Sequence, residues 1–343
     1  MPVTRRLPAE WEDQDGVLLA WPHADTDWAP VLAQVEPVFQ ELAARIAEVE
    51  TLVVAAADPH GAERGLRRAG VPRDRVRLYH VPTNDTWARD FGPLTVEVDG
   101  RPRVLDFGFN GWGLKFAADL DNQVTRRLWA DGAFGATPLE TVGLVLEGGS
   151  VESDGAGTLL TTAACLLSPN RNPHLDRRGV EEALGRHLGA ERVLWLEHGR
   201  LAGDDTDAHV DTLARLAPGD AVLYVSCDDP ADEHFAPLAA MAEELRDLRT
   251  RAGRPYRLVP LPWPQARFDE EGRRLPATYA NFLVVNGAVL VPTYGDPRDA
   301  EALAAVAEAF PGRRVTGVDC SPLLLQHGSL HCVTLQLPRG ALP

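Results

Sequence analysis

The feature that most constrains the fold is a unit that recurs along the chain and consists of a hairpin, a helix and a further strand. Turn signals separate strand-like runs at Asp99-Gly100, Asp154-Gly155, Asn286-Gly287 and Pro218-Gly219-Asp220. Asn-Gly and Asp-Gly between apolar or alternating residues are the strongest short hairpin signals. A helical stretch and a short strand follow each hairpin, so the unit recurs at intervals of about 60 to 70 residues.

Divergent repeats of one supersecondary unit predict a ring or an array. Helices are predicted near residues 31–48, 120–130, 177–188, 237–249 and 298–310, each followed by a strand. Counting gives about five units but only four complete hairpins. The tail strand "SLHCVTLQL" can supply the missing pairing by lying beside the head strand "GVLLAWP". We therefore expect an α/β fold whose terminal strands close a ring, and one domain over residues 1–343.

Composition narrows the classes of partner. The net charge of -16 predicts that nucleic acid and anionic membranes are repelled, and it weakly favours cationic ligands. The first residues have no signal-peptide core, and no apolar run is long enough to span a bilayer. The four cysteines show no C-x-x-C spacing, which argues against a thiolate zinc site and against a disulfide framework. We expect a cytoplasmic protein of enzyme size.

The residues with chemical potential lie in the loops that follow the last strand of each unit. These are Trp87, Arg89 and Asp90 in the first loop, Glu147 in the second, Asp204, Asp205, Asp207, His209 and Asp211 in the third, and Cys332 in the fifth. The fourth loop, before "TYANF", is poorer in charge. Equivalent loops of a ring face a common axis, so we expect these side chains to converge although they are far apart in sequence.

Such a cluster suits a planar cation as substrate. Carboxylates near Cys332 oppose ionisation of the thiol, so a substrate that brings positive charge is favoured. A guanidinium forms paired hydrogen bonds with carboxylates, which Asp90 and Asp211 can supply while its carbon faces Cys332. His209 can protonate the departing ammonia and then activate water. Glu147 can orient His209 and favour its protonated form.

Taken singly, each of these residues has an ordinary structural interpretation. Cys332 alone is typical of a buried packing residue, and Asp90 beside Arg89 of a structural ion pair. Glu147 alone is typical of a surface turn, and the run of aspartates that includes Asp205 of a solvated loop. His331 is expected not to be the partner of Cys332, because neighbours on a strand point to opposite faces. The functional interpretation depends on the joint placement at matching points of the repeat.

A set of ordered motifs resembles one family. The motifs are "NDTWARDFGP", "FNGWG", "LEGGSVESDGAGTLLTTAACLLSPNRNP", "TDAHVDTLARL", "YANFLVVNGAVLVPTYGDP" and "GSLHCVTLQLP". In this order they are similar to the agmatine deiminase and bacterial, Porphyromonas-type peptidylarginine deiminase family, and the similarity runs from about residue 11 to 338. The resemblance implies the five-bladed pseudo-symmetric α/β propeller of the guanidine-modifying enzymes, also called the pentein fold, built of ββαβ units.

The resemblance also implies roles for matching positions. Cys332 falls on the nucleophile, His209 on the general acid and base, Glu147 on its carboxylate partner, and Asp90 and Asp211 on the guanidinium-binding pair. Trp87 matches a tryptophan that lines the substrate channel. The resemblance implies no metal and no organic cofactor, a homodimer, a small cationic guanidine as substrate, and a part in polyamine and putrescine biosynthesis.

Three positions depart from the family pattern. Asp205 stands where agmatine deiminases usually have a glutamate near the distal amine of the substrate, Gln326-His327-Gly328 replaces a glycine run, and Leu114-Lys115 follows "FNGWG" in place of a glycine. These changes affect what lies beyond the guanidinium, so the reaction class is better determined than the substrate.

The leading hypothesis is a hydrolase of carbon–nitrogen bonds in linear amidines that converts agmatine to N-carbamoylputrescine through a covalent amidino-thioether. Free arginine, peptidylarginine or another guanidine are alternative substrates. A metal hydrolase using His209 and Asp211, a guanidine-binding protein without catalysis, and an amidinotransferase remain open as alternatives from other classes. His-x-Asp is weak metal spacing with no second histidine in that loop.

Overall fold

The strands of this protein are short and fall into several separate sheets. The computed structural model describes residues 4–343. Its strands are β1 (Arg5–Arg6), β2 (Gln14–Ala20), β3 (Thr51–Ala56), β4 (Val76–His80), β5 (Leu94–Val98), β6 (Arg101–Gly108), β7 (Leu139–Val145), β8 (Val151–Ser153), β9 (Thr158–Thr162), β10 (Arg192–Leu196), β11 (Ala214–Ala217), β12 (Ala221–Val225), β13 (Arg257–Leu261), β14 (Arg267–Phe268), β15 (Arg274–Leu275), β16 (Leu283–Val285), β17 (Ala288–Thr293), β18 (Arg314–Asp319) and β19 (Thr334–Pro338).

The long helices cross between strands, and three of the shorter ones are single turns. The helices are α1 (Leu32–Ala47), α2 (Pro59–Arg68), α3 (Ala88–Phe91), α4 (Gly111–Leu114), α5 (Val124–Ala130), α6 (Ala163–Leu166), α7 (Arg177–Leu188), α8 (Phe235–Asp247) and α9 (Asp299–Ala309). Short 3-10 turns lie at Ala29–Val31, Arg73–Arg75, Asp121–Gln123, Gly148–Ser150, Val210–Thr212 and Ser321–Gln326. Within residues 4–343, no helix has both the length and the apolar character needed to cross a bilayer.

The predicted unit of hairpin, helix and strand is confirmed. In one unit, β8 pairs antiparallel with β9, and β9 pairs parallel with β10 after the crossover through α7. The same order is found in β5-β6-α5-β7, β11-β12-α8-β13 and β16-β17-α9-β18. A tight turn reverses the chain, whereas a helical crossover returns it in the same direction, which is why each sheet mixes the two pairings.

The turn chemistry is visible in the hairpin between β5 and β6. Asp99 and Gly100 have φ angles of 49° and 74°, both in the left-handed region. A two-residue hairpin of the primed type requires positive φ at both central residues, so Asp-Gly is favoured there. Val98 consequently lies opposite Arg101 in the ladder.

The two ends of the described chain meet in one sheet, as predicted. β19 runs antiparallel to β2, with Thr334 opposite Leu19 and Leu335 opposite Leu18, and β2 runs parallel to β3. The tail strand begins at Thr334, later than predicted, because Thr334 N–H closes a turn on the carbonyl oxygen of His331 at 3.0 Å. Cys332 therefore lies in that turn, outside the ladder, and the strand that follows anchors it.

The core is built from strands buried on both faces and from one apolar stripe on each long helix. In α1 the side chains of Val35, Phe39, Leu42 and Ile46 are fully buried, and their spacing of three to four residues places them on one helix face. This face packs on β3. Each such buried side chain contributes about 1.5–3 kcal/mol relative to exposure, so the helices hold the sheets, and therefore the loops at their ends, in place.

Candidate active site

A cavity of about 730 Å³ lies where the loops of different units meet. Its walls come from separate parts of the chain, namely Asp27, Asp85, Trp87, Asp90, Trp112, Phe116, Ala202, Gly203, Asp204, Asp205, Thr206, Thr212, Arg273, Arg274, Leu325, Gln326, His327, Gly328 and Cys332. The lining therefore includes Cys332 together with five aspartates. Of the residues expected to converge, Cys332, Asp90, Trp87 and Asp205 line this cavity, whereas Glu147, His209 and Asp211 are buried and do not line it.

Cys332 lines the cavity with only 6% of its surface exposed. Its backbone carbonyl accepts a hydrogen bond of 3.1 Å from the amide of Arg89, which joins the turn of Cys332 to the start of α3. Burial and the charges of Asp211 and Asp90 raise the pKa of the Cys332 thiol well above its usual range. The free site therefore holds a thiol, and a cation placed between the two carboxylates favours its ionisation.

The fourth loop supplies Asn281, which the sequence reasoning missed. Its side-chain oxygen Oδ1 accepts hydrogen bonds from the amide of His331 at 2.9 Å, the amide of Cys332 at 3.2 Å and the Cys332 thiol at 3.3 Å. Its position in the sequence points to it, because Asn281 lies just before β16, in a loop equivalent to those that carry the other site residues. Charge does not distinguish Asn281 in the sequence, because a neutral amide acts only through hydrogen bonds.

Asp90 is held at the cavity wall by two donors. Its Oδ2 accepts from the indole Nε1 of Trp112 at 2.9 Å, and its Oδ1 accepts from the amide of Gly149 at 3.0 Å. Burial raises the pKa of Asp90 to about 6, although the charge of His209 opposes the rise. Near neutral pH the carboxylate is thus mostly ionised and directed by its donors.

Asp211 is fully buried in the 3-10 turn that follows His209. Its Oδ2 lies 2.7 Å from His331 Nδ1 and 3.4 Å from Asn281 Nδ2. Its Oδ1 is buried and has no hydrogen-bond partner anywhere in residues 4–343. Burial opposes ionisation, but the hydrogen bond from His331 and the charge of His209 hold the pKa of Asp211 below its usual range. Asp211 is thus an ionised carboxylate with one free oxygen.

His209 is buried between the acidic groups. Its Nδ1 lies 3.5 Å from Asp90 Oδ1, and its Nε2 has no hydrogen-bond partner in the described part of the chain. Burial lowers the pKa of His209, but the charge of Asp90, the interaction with Cys165 and the charge of Glu147 together outweigh this effect and raise it to about 10. The imidazole is therefore a protonated acid at neutral pH.

Gly149 shows how closely these groups approach one another. A Cβ atom added at Gly149 would lie 2.7 Å from His209 Nδ1, 2.9 Å from Asp90 Oδ1 and 3.0 Å from Asp211 Oδ2. Real Cβ atoms essentially never show contacts under 3.0 Å, so a glycine is required at the point where the three side chains meet. The "LEGGS" motif is thus a backbone wall of the site as well as the source of Glu147.

Glu147 does not orient His209 in the way that the sequence suggested. Both of its carboxylate oxygens accept from Nε of Arg171 at 2.9 Å, and no hydrogen bond joins Glu147 to His209 within residues 4–343. The reason is that the buried Arg171 guanidinium is close to Glu147, and it binds the carboxylate more strongly than the more distant imidazole of His209 can. The influence of Glu147 on His209 is electrostatic, since its charge contributes to the raised pKa of the imidazole.

Arg171 is a second residue that sequence reasoning did not single out, although it lies in the motif "SPNRNP". Its side chain is fully buried, and besides Glu147 it donates from Nη1 to Asp207 Oδ2 at 2.7 Å and from Nη2 to the carbonyl of Thr206 at 2.8 Å. Asp207 and Ala208 have φ angles of 66° and 65°, a strained conformation for residues with a side chain. Arg171 thus clamps the loop that delivers His209.

Trp87 and Asp205 also line the cavity. Trp87 packs on Trp28, with ring centroids 5.6 Å apart, and against Gly328, where a Cβ would lie 2.1 Å from the indole. Asp205 Oδ2 lies 4.0 Å from His327 Nδ1, and burial raises the pKa of Asp205. All three departures from the family pattern therefore lie around the cavity mouth, since Lys115 also donates to the Asp205 carbonyl at 2.6 Å.

Two groupings of potential metal ligands occur among residues 4–343, Glu147 with Cys165 and His209, and Glu10 with Glu152 and His331. In both, arginine guanidiniums already bond the carboxylates: Arg171 bonds Glu147, and Arg215 bonds Glu10 and Glu152. Neither grouping contains Asp211. The carboxylates of both groupings are therefore already paired with guanidinium groups of the protein.

Comparisons with known proteins agree with the motifs. The Porphyromonas-type peptidyl-arginine deiminase family matches residues 6–338. An agmatine deiminase of Ectopseudomonas mendocina is 36% identical over 97% of this chain and 95% of its own length. The structure of a C. jejuni agmatine deiminase with substrate bound, in a cysteine-to-serine variant, has a TM-score of 0.92 and 36% identity, covering 98% of this chain and 97% of that one.

A Porphyromonas gingivalis structure, provisionally described as an arginine deiminase, is 50% identical with a TM-score of 0.92 and covers 99% of this chain and 100% of that one. These TM-scores show that the chain has the α/β fold of these deiminases. Full-length coverage and identities above one third confirm the resemblance that the ordered motifs predicted. The chain therefore belongs to the Porphyromonas-type peptidyl-arginine deiminase family.

Proposed function

We propose that this protein hydrolyses agmatine to N-carbamoylputrescine and ammonia. The observation that carries the proposal is the placement of two buried aspartates, Asp90 and Asp211, beside the buried thiol of Cys332 and the protonated imidazole of His209. The agmatine deiminases among the relatives support agmatine as the substrate. The pathway that consumes such a product is polyamine and putrescine biosynthesis.

Substrate binding follows from the unpaired acceptors. We place the guanidinium beside Asp90 and Asp211, with one nitrogen donating to the unpaired Oδ1 of Asp211. Trp87 forms a flat wall beside the chain of the substrate, and Asp205 at the mouth faces its distal ammonium. The bound cation offsets the carboxylates that hold the pKa of Cys332 high, so the thiol loses its proton when the substrate is present.

The chemical steps use the two protonation states of His209. The Cys332 thiolate attacks the guanidinium carbon, and His209 gives its proton to the departing nitrogen, so that ammonia leaves and an amidino-thioether remains. Neutral His209 then takes a proton from water, whose oxygen bonds to the same carbon. The sulfur–carbon bond breaks, the proton of the new hydroxyl passes to the departing sulfur, and the products are the ureido compound and the Cys332 thiol. The charge of Glu147 favours the protonated imidazole that begins the cycle.

We place this chemistry in one catalytic domain over residues 1–343, a five-bladed α/β propeller closed by the terminal strands. The support is the repeated sheet order, which recurs in four units and is completed by β19 beside β2. In such a ring, equivalent loops face one axis, which accounts for a site drawn from all parts of the chain. We further propose that the protein is cytoplasmic and forms a homodimer. Light scattering of the purified protein tests the oligomeric state.

A second candidate substrate is free or peptide-bound arginine. Arg273 and Arg274 line the mouth together with Asp204 and Asp205, so this region can face a carboxylate as well as an ammonium group. The P. gingivalis relative described as an arginine deiminase also favours this alternative. A panel of agmatine, arginine, dimethylarginine and arginyl peptides, compared by kcat/KM, separates the candidates.

The test of the reaction is the release of ammonia and of a ureido product from agmatine by the purified protein. We expect Cys332→Ala to abolish both, and Cys227→Ala, a cysteine away from the cavity, to retain the activity of the unchanged protein. Full activity of Cys332→Ala would end the mechanism. Mass spectrometry of the product decides between hydrolysis and amidino transfer, because only transfer places the amidino group on an added amine.

A further inference from the structure

We propose that His331 is a positioning residue that holds Asp211 for the guanidinium by linking it to a buried ion cluster around Glu10. His331 is adjacent in sequence to Cys332, yet its ring contacts other residues, as expected from the sequence. Its Nδ1 lies 2.7 Å from Asp211 Oδ2, and its Nε2 lies 2.8 Å from Glu10 Oε1. This inference rests on the proposed deimination, because it concerns how the guanidinium-binding carboxylate is held.

The cluster behind His331 is held together by paired charges, and its members are buried except for the half-buried Glu10. Glu10 Oε1 accepts from Arg89 Nη1 at 3.1 Å, and Glu10 Oε2 accepts from Arg215 Nη2 at 2.5 Å and from Gln336 at 2.9 Å. Arg215 Nη2 also lies 3.0 Å from His331 Nε2. The guanidinium of Arg215 also bonds Glu152 and lies over the ring of Phe282, 4.4 Å from its centroid. Glu10 and Arg215 thus both contact Nε2 of His331, the ring nitrogen that does not contact Asp211.

A fixed imidazole in turn fixes the carboxylate of Asp211. One oxygen of Asp211 is engaged by His331, and the other is buried without a hydrogen-bond partner among residues 4–343. Rotation of the carboxylate would break the His331 contact, so both oxygens of Asp211 are held in one orientation. The amide of His331 is itself bound to Asn281 Oδ1 at 2.9 Å, as is the amide of Cys332 at 3.2 Å, so the same amide oxygen sets both residues.

Two substitutions separate the contacts on the two edges of the ring. His331→Asn places an amide nitrogen near the position of Nδ1, retaining a donor for Asp211. His331→Gln reaches the position of Nε2, where its amide can donate to Glu10 and accept from Arg215, but it leaves Asp211 Oδ2 without this donor. Both substitutions remove the imidazole, and asparagine leaves the larger gap, so a purely structural loss would be at least as great in His331→Asn as in His331→Gln.

The measurement is the dissociation constant of agmatine, by calorimetry, in a Cys332→Ser background where no turnover takes place. We expect His331→Gln to weaken binding by about ten- to a hundredfold and His331→Asn by less than about threefold, given the strength of hydrogen bonds to charged groups. His198→Gln is the control, since His198 forms an exposed pair with Glu244 at 2.6 Å.

Equal binding by His331→Gln and the parent, or equal weakening by both His331 variants, would overturn the positioning role. Failure of the proposed function has a different signature: the unchanged protein then binds agmatine without producing ammonia, and the comparison of the two variants still applies. Absence of guanidine binding in the parent itself would overturn both proposals.

Discussion

The thiol of Cys332 lies 3.3 Å from the amide oxygen of Asn281, a residue 51 positions earlier in the chain. This contact joins the tail of the protein to the fourth repeated unit. The same oxygen binds two backbone amides, so it determines the direction of the turn that carries the sulfur. Asn281 is therefore central to the geometry of the nucleophile.

We expect Asn281→Ala to reduce kcat/KM by about three- to tenfold for each hydrogen bond lost, because a typical intramolecular bond contributes about 0.5–1.5 kcal/mol. Asn281→Asp should be worse, since a third carboxylate beside Cys332 raises the pKa of the thiol further. Steady-state kinetics with thermal unfolding as a control measures both. A faster Asn281→Asp variant would contradict the electrostatic account.

The pH dependence of substrate binding should follow Asp90. Burial raises the pKa of Asp90 to about 6, and the charge of His209 opposes this rise. Guanidine binding to Cys332→Ser should therefore strengthen as the pH rises through about 6. His209→Gln removes the neighbouring positive charge, which raises the pKa of Asp90, and the midpoint should move to higher pH. Titrations of agmatine across the pH range measure the midpoint. A midpoint that stays in place or falls would show that another group controls binding.

Gly149→Ala should abolish most activity, because the new Cβ would lie 2.7–3.0 Å from His209, Asp90 and Asp211. We expect a loss of at least about a hundredfold in kcat/KM, since misplacement of catalytic groups by about 1 Å has effects of this size. Gly143→Ala is the matched control, because a Cβ there meets nothing within 4 Å. Similar kinetics for the two variants would be incompatible with the described packing.

Arg171→Lys should destabilise the protein although the charge is retained. A lysine cannot reproduce the fork that bonds Glu147, Asp207 and the Thr206 carbonyl together. Breaking a buried ion pair costs about 3–5 kcal/mol, and the partial replacement by lysine should cost a large part of that. The control is Arg178→Lys, which alters an exposed pair with Glu182. Equal unfolding free energies in denaturant titrations would argue against the clamp.

Asp205→Asn should raise the KM for agmatine by about two- to fivefold with little change in kcat, because partly exposed charge pairs contribute up to about 1 kcal/mol. Butylguanidine lacks the distal ammonium and should show no change, which makes it the matched control substrate. Asp205→Glu restores the residue usual in agmatine deiminases and tests whether the longer side chain lowers KM. An equal rise in KM for both substrates would place Asp205 away from the distal amine.

Several features of this protein followed from the sequence alone. Local turn chemistry and hydrophobic pattern determined the hairpin, helix and strand units, and the pairing of β19 with β2 followed from counting them. The position of loops at the ends of equivalent strands predicted that Asp90, Asp205 and Cys332 would share one cavity. These predictions succeed because periodicity and turn residues act over short stretches of chain.

The tertiary structure decided which side chains bond one another. Arg171 took the carboxylate that the sequence assigned to His209, Asn281 proved to hold Cys332, and His331 proved to hold Asp211. Such partners lie 24 to 120 positions apart, and each depends on the direction of a side chain after packing. Residue type and spacing predict which loop carries a group. Whether two groups form a hydrogen bond depends on differences in distance of a few tenths of an ångström, and only the packed backbone determines distances that finely.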